Sequence, residues 1–229
     1  MHITYLSIFP ELFESFVSTT LISRAVENEI IQFETINPRY FTDDRHRTID
    51  DQIYGGWHGL LMKAQPIIDG IKHWLTKHDL HNSDKRQIII PGPSERSFAQ
   101  QDAHNWSASE FVLFVCGRYE GMDARVLQWL TKRYAQQTHL VSLGRFITLG
   151  GELPAMTITE AIVRLLPGVI HSSESWEQES YDITQGMSNI EHPQYTRPEV
   201  VERMRVPEVL LSGHHKHIQQ WKDEQSGTI

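Results

Sequence analysis

The chain has 229 residues and a mass of 26.6 kDa, with 39% hydrophobic and 22% charged residues, a make-up that fits a folded globular protein and excludes a disordered one. The net charge of −8 and a pI near 5.9 exclude coating of nucleic acid through bulk positive charge and leave room only for a local basic patch. The single cysteine, Cys116, excludes an internal disulfide framework and any cysteine-cluster metal site.

The opening MHITYLSIFP lacks the basic start and long apolar run of a signal peptide. No apolar run approaches the roughly 18 residues of a membrane helix, and a reducing cytoplasm is the expected setting. ITYLSIF at 3–9 is β-branched and aromatic and predicts a strand. Pro10 and Glu11 then start a helical stretch to about Asn28, because proline suits a first turn. IIQFETIN predicts a second strand. Residues 38–62 are rich in Asp, Arg, Gly and Tyr and read as one long loop, a feature that in compact domains often carries function. A helix near Pro66–His78 and a strand at Gln87–Ile90 follow. FVLFVC at 111–116 has the length and continuous hydrophobicity of a buried strand. A helix near Met122–Arg133, a strand at 139–143 and the helix of GELPAMTITEAIVRLL come after it, the last with Pro154 in its first turn and Gly168 just past its end. Alternating strands and helices predict an α/β domain with a largely parallel sheet over residues 1–168. Residues 169–190 are Ser-, Gln- and Glu-rich and read as an interdomain linker. Residues 191–229 read as a small helical domain. Within it, Arg197–Ile229 balances five basic against five acidic side chains, so the rest of the chain carries the whole −8.

In such folds ligands bind at the carboxyl ends of the strands, which directs attention to three glycine-bearing loops: YGGWHG at 54–59, CGRYEG at 116–121 and SLGRFITLGGELP at 142–154. None matches the G-x-G-x-x-G dinucleotide fingerprint or the phosphate-binding G-x-x-x-x-G-K-[ST]. Taken alone, each glycine is also consistent with an ordinary turn.

CGRYEG, the L-G-x-x-x-x-x-GGELPA stretch, LLPGV at 165–169, PQYTRP at 193–198 and VPEVLLSG at 206–213 occur in the order found in the bacterial tRNA (guanine-37-N1)-methyltransferases, and IFPELFE and the DDRHRTIDD–YGG region resemble that family too. The resemblance spans nearly the whole chain. It implies a SPOUT-class α/β fold, with a parallel sheet whose C-terminal part is threaded into a trefoil knot, and a small helical C-terminal domain. It also implies a homodimer and a reaction that moves a methyl group from S-adenosylmethionine to N1 of guanine 37 in tRNA. A divergent relative that methylates another RNA base, or binds RNA without catalysis, is the alternative.

Carried over residue by residue, the resemblance places Gly117 and Glu120 at the donor site. Leu143, Gly144, Arg145, Phe146, Ile147 and Thr148 fall in a loop that wraps adenine and ribose through its backbone, followed by Gly150 and Gly151. Glu152 starts the next helix, where a helix-dipole role and a ligand role are equally open. Guanine N1 is protonated at neutral pH, so a carboxylate within reach must take its proton and a cation must stabilise charge on O6. The family's arginine before L-P-G-V is Arg164. Its linker aspartate aligns with Glu179, one methylene longer, with Asp182 as a fallback base. Magnesium, which family enzymes use, would have Glu120 or Glu179 as neighbours.

Other departures surround the donor loops: Trp57 and His58 stand among the glycines of 54–59, Arg145 where the family has an acid, Phe146 for tyrosine and Leu149 for a small hydroxyl residue. For tRNA, Tyr195 and Arg197 supply an aromatic and a guanidinium that stack or meet phosphate, and Arg45 with His46 and Arg47 forms a basic spot in the long loop. The histidines at 214, 215 and 217 lack a carboxylate or cysteine at matching spacing and read as a helix face rather than a metal site.

Overall fold

A computed structural model describes residues 1–56, 58–170, 180–181 and 190–227. The chain divides into two compact units, residues 1–171 and 172–229. In the first, β1 (His2–Leu6) leads through a 3-10 turn at Pro10–Phe13 into α1 (Glu14–Val17) and α2 (Thr20–Glu27), and then β2 (Gln32–Ile36). The single helix expected from Pro10 to Asn28 is therefore broken at Ser18 and Thr19, and Thr20 takes φ +58 at the break. The expected long loop contains a 3-10 turn at Pro38–Phe41 and a short antiparallel hairpin, β3 (Asp50–Gln52) and β4 (Leu60–Met62). Next come α3 (Ala64–Lys77), β5 (Arg86–Pro91), α4 (Gln100–Ser107), β6 (Phe111–Val115), α5 (Arg125–Tyr134), β7 (Thr138–Val141) and α6 (Glu152–Val163).

The five long strands form one all-parallel sheet in the order β2-β1-β6-β5-β7. Strand alternation splits the core into two layers. Ile3, Tyr5, Ile89, Val112, Phe114 and Cys116 face α2, α4 and α6. Leu6, Ile88, Ile90, Leu113 and Val115 face α3 and α5. Burial on both faces explains why FVLFVC is a continuous apolar run rather than an alternating one. Two buried hydrogen bonds pin the layers: Tyr5 Oη donates to Thr159 Oγ1 at 2.8 Å, and Trp74 Nε1 to Thr4 Oγ1 at 3.0 Å.

In the second unit, β8 (Val200–Val201) and β9 (Met204–Arg205) form a hairpin, followed by α7 (Glu208–Leu211) and α8 (His215–Gln225). A short hairpin thus accompanies the helices expected over residues 191–229. Glu202 and Arg203 both take positive φ, +47 and +68, which is the turn that matches strand twist in a two-residue hairpin. No helix among the described residues is long and apolar enough to cross a membrane.

Candidate functional site

Because all five strands run the same way, the loops after β5, β6 and β7 emerge at one end of the sheet. There they enclose a cavity of about 440 Å³, within the range of small-molecule sites. Pro91–Pro93 form one wall, the segment from Gly117 to Ala124 a second, and the segment from Val141 to Gly151 the third, with Arg145 the one residue of that stretch that does not reach the cavity. The structure thus brings Gly117, Glu120, Leu143, Gly144, Phe146, Ile147, Thr148, Gly150 and Gly151 together, while Arg145 is exposed outside the lining.

The third loop is held by side chains rather than by its own backbone. Gly144 N–H donates to Ser142 Oγ at 3.1 Å, and Thr148 Oγ1 donates to the Gly150 carbonyl at 2.9 Å. Among the described residues, the N–H groups of Arg145, Phe146, Ile147 and Thr148 meet no protein acceptor. A loop with unspent backbone donors beside an apolar cavity suits a flat heteroaromatic ligand read by main-chain groups.

Close approach dictates the glycines. A methyl group on Gly151 would lie 3.0 Å from Cys116 Cα and 3.2 Å from Gly117 N, both backbone atoms, because Gly151 N–H donates to the Gly117 carbonyl at 2.9 Å. Gly59 takes φ +98 and packs on Glu120, whose Cγ would be 2.6 Å from an added methyl.

Below the floor lies Glu152, which the sequence leaves open between a helix-dipole and a ligand role. Glu152 is 1% exposed and lines no part of the cavity. Its Oε2 accepts from Arg118 Nε at 2.8 Å and its Oε1 from Ser7 Oγ at 2.7 Å. Three loops, after β1, after β6 and before α6, therefore meet at one carboxylate. The Arg118 guanidinium also lies 4.7 Å from the Phe9 ring centroid. Nothing in the spacing of 7, 118 and 152 announces this. The wall at Pro91–Pro93 runs into GPSER at 92–96, the segment that stands where the family has S-P-Q-G-R near its donor pocket.

The loop 92–98 is clamped from outside. Arg96 donates from Nη1 to His139 Nδ1 at 2.9 Å and pairs through Nη2 with Asp102. Since an arginine only donates, His139 Nδ1 carries a lone pair, and its Nε2–H donates to Gln87 Oε1 at 2.7 Å. Burial, reinforced by the Arg96 charge and opposed by Asp102, holds the His139 pKa down to about 4. The unfolded chain takes up this proton near pH 6.5, so the neutral ring leaves stability intact above 6.5 and stability is lost as pH falls from 6.5 toward 4. His139→Gln removes the proton site. The drop in melting temperature between pH 6.5 and 4 is expected to be smaller in that variant than in wild type, and equal slopes would contradict the assignment.

Arg164 caps the C-terminus of α6 and is partly buried. Arg45 is exposed in the loop before β3. Tyr195 and Arg197 are exposed in the second unit, with the Tyr195 ring 6.3 Å from that of Trp221. Glu179, Asp182 and Trp57 lie outside the described residues. No group of three metal-ligating side chains occurs among the described residues, and His214 and His217 are stacked on each other, with ring centroids 4.0 Å apart.

Comparison with known proteins bears on this geometry. The model of the family described as tRNA (Guanine-1)-methyltransferase TrmD matches residues 1–228. The chain belongs to this family. Among curated relatives, a tRNA (guanine-N(1)-)-methyltransferase of Staphylococcus haemolyticus is 40% identical over 229 residues, covering 98% of this chain and 85% of the relative. The enzyme of that name from Clostridium botulinum is 41% identical over 226 residues, and that from Bacillus subtilis 38% over 226, each covering 99% of this chain and 87% of the relative. The glycine-bearing loops 116–121 and 142–154 are two of the segments that close around the cavity.

Proposed function

We propose that the chain is a methyltransferase that uses S-adenosylmethionine to methylate N1 of guanine 37 in tRNA. Family membership over residues 1–228 carries this reading, and the glycine-walled cavity supports it. The cavity fits the donor in size. Free N–H groups at 145–148 suit the adenine edge, and apolar walls such as Leu140 and Leu127 suit its faces. The Glu120 carboxylate at the cavity suits the donor's cationic portion. When bound, the donor supplies an electrophilic methyl group. Arg164 stabilises the negative charge that develops on guanine O6, and Glu179 takes the N1 proton. Magnesium, where the reaction uses it, would have Glu120 or Glu179 as a neighbour and would take its other ligands from substrate oxygens and water.

The reading extends to architecture. Residues 169–190 act as a linker, and residues 191–229, with Tyr195 and Arg197, bind tRNA, as does Arg45. Two ties support the threading of the loop before α6 as a trefoil knot. Gly150 bridges to Arg118, Gly151 bonds to Gly117, and α6 then packs beside α4 on the face opposite α3 and α5. A homodimer is supported by the exposed apolar rim of the cavity, where Leu149 is 89% and Ile147 85% exposed beside Phe146 and Leu153. A tRNA substrate places the protein in the cytoplasm.

The test is calorimetric binding of S-adenosylmethionine followed by methyl transfer to unmodified tRNA with guanine or adenine at position 37. Donor binding, with methylation of the guanine form alone, is the expected result. Absence of donor binding, with and without tRNA, overturns the reading.

A further inference from the structure

The 3-10 turn after β2 presents its two aromatic residues in opposite directions. Phe41 packs inward against His73, with ring centroids 5.5 Å apart, and crowds Gly70. Tyr40 is left 70% exposed. One charged group approaches the Tyr40 ring: the Arg47 guanidinium carbon lies 5.2 Å from its centroid. This pair sits on a built loop. Asn37 Oδ1 accepts from Arg39 N at 3.0 Å, Arg39 Nη1 donates to the Arg47 carbonyl at 3.2 Å, and the Asp44 carboxylate accepts from both the N–H and the hydroxyl of Thr48. Those bonds turn Asp44 toward Thr48 and leave Arg45, His46 and Arg47 exposed at the tip. Lys63 Nζ braces the same loop by donating to the Thr48 carbonyl at 3.2 Å.

Position matters as much as chemistry. β2 is parallel to the strands whose loops form the cavity, so its C-terminal turn opens at the same end of the sheet. β2 lies two strand spacings from β6, about 10 Å across the sheet. The β3–β4 hairpin fills that interval: Leu61 bridges to Tyr119 on the cavity wall, and Lys63 N–H donates to the Ile49 carbonyl behind the Tyr40 loop.

An exposed aromatic ring with a guanidinium against it, held rigid and flanked by cations, is the arrangement that captures unpaired bases in RNA-binding proteins. We propose that Tyr40, backed by Arg47, is a stacking platform for an unpaired nucleobase of the RNA substrate that neighbours the base in the cavity. This rests on the methyltransferase reading above. Arg45 beside it meets phosphate.

The test uses the full chain and a synthetic anticodon stem-loop RNA bearing guanine 37, with affinity measured by fluorescence anisotropy over a range of salt concentrations. Tyr40→Ala is expected to weaken RNA binding about tenfold with an unchanged salt slope, because stacking releases no counterions. Tyr40→Trp retains binding, and Arg45→Ala lowers the slope by about one. Tyr40→Leu, which keeps apolar cover over Arg47 but cannot stack a base, separates lost stacking from a loosened loop and is expected to match Tyr40→Ala. Melting temperature and donor affinity should remain those of wild type in all four. If Tyr40→Ala and Tyr40→Leu bind the RNA within twofold of wild type, the platform does not exist, while methylation of the stem-loop by wild type keeps the functional reading. If wild type neither binds nor methylates it, both fall.

Discussion

Arg118→Ala is expected to lower stability by about 3 kcal/mol and to weaken binding of the methyl donor. The substitution strands the Glu152 carboxylate, 1% exposed, with Ser7 as its one remaining hydrogen-bond partner among the described residues. Removing one member of a buried pair costs about 3–5 kcal/mol, because the other charge stays desolvated. The Arg118 side chain is one-fifth exposed, which puts the effect at the low end of that range. For a unit of this size the melting temperature should fall by roughly 6–12 °C. Donor affinity follows because the pair lies under the Gly150–Gly151 backbone: an added methyl at Gly150 would come 2.4 Å from Arg118 Nε and 2.6 Å from Glu152 Oε2. Loss of the guanidinium leaves that backbone unsupported at the cavity. The double variant Arg118→Met with Glu152→Met should recover much of the stability, since an apolar pair of similar volume replaces a desolvated ionic one at little net cost. Its failure to exceed Arg118→Ala in melting temperature would show that a stranded carboxylate is not what destabilises the single variant. Calorimetric unfolding and donor titration on the wild type and the two variants measure both effects.

The contrast between this pair and the glycine loops explains how far the sequence could be read. FVLFVC had to be a buried strand because both of its faces are covered, and its continuous hydrophobicity states that directly. Helix α4 escaped notice because QQDAHNWS buries Asp102, Ala103 and Trp106 and so offers too few apolar positions for a period to show. Asp102 starts it instead, its carboxylate accepting the Ala99 N–H at 3.1 Å. The β3–β4 hairpin was invisible for a different reason: each strand has three residues, and its register depends on Met62, which is held by the Gly121 carbonyl from a loop 59 residues downstream. The same limit governs the site. Glycines at 144, 150 and 151 were legible because a close approach leaves a residue-type mark at each position. Glu152, Arg118 and Ser7 are brought together by topology, 145 residues apart at the extremes, and leave no local mark. Arg145 lies in the same loop with its side chain exposed outside the cavity lining, an arrangement that a loop read through its backbone tolerates.

Arg164→Ala should reduce kcat for guanine methylation by about 10²–10³-fold while leaving donor affinity unchanged, the magnitude typical of losing one group that stabilises developing negative charge. As the nucleophile forms, guanine N1 gives up a proton and charge accumulates on O6, so a cation matters more in the transition state than in the ground state, and its loss falls on kcat rather than on KM. Arg164 closes the C-terminus of α6, the helix whose first turn carries Glu152, so one rigid element links the cavity floor to the proposed cation. Arg164→Lys keeps charge but not the planar fork and should recover part of the rate. The partner role is the base. Glu179→Gln should lower kcat by about 10²–10⁴-fold, and Glu179→Asp, which restores the family's shorter carboxylate, should retain activity. Single-turnover methyl transfer with saturating donor measures all four variants. Should Glu179→Gln turn over normally while Asp182→Asn is inactive, the proton is taken at 182 and the assignment of the base moves by three residues. Should Arg164→Ala lose donor affinity along with rate, the side chain supports the cavity rather than the transition state.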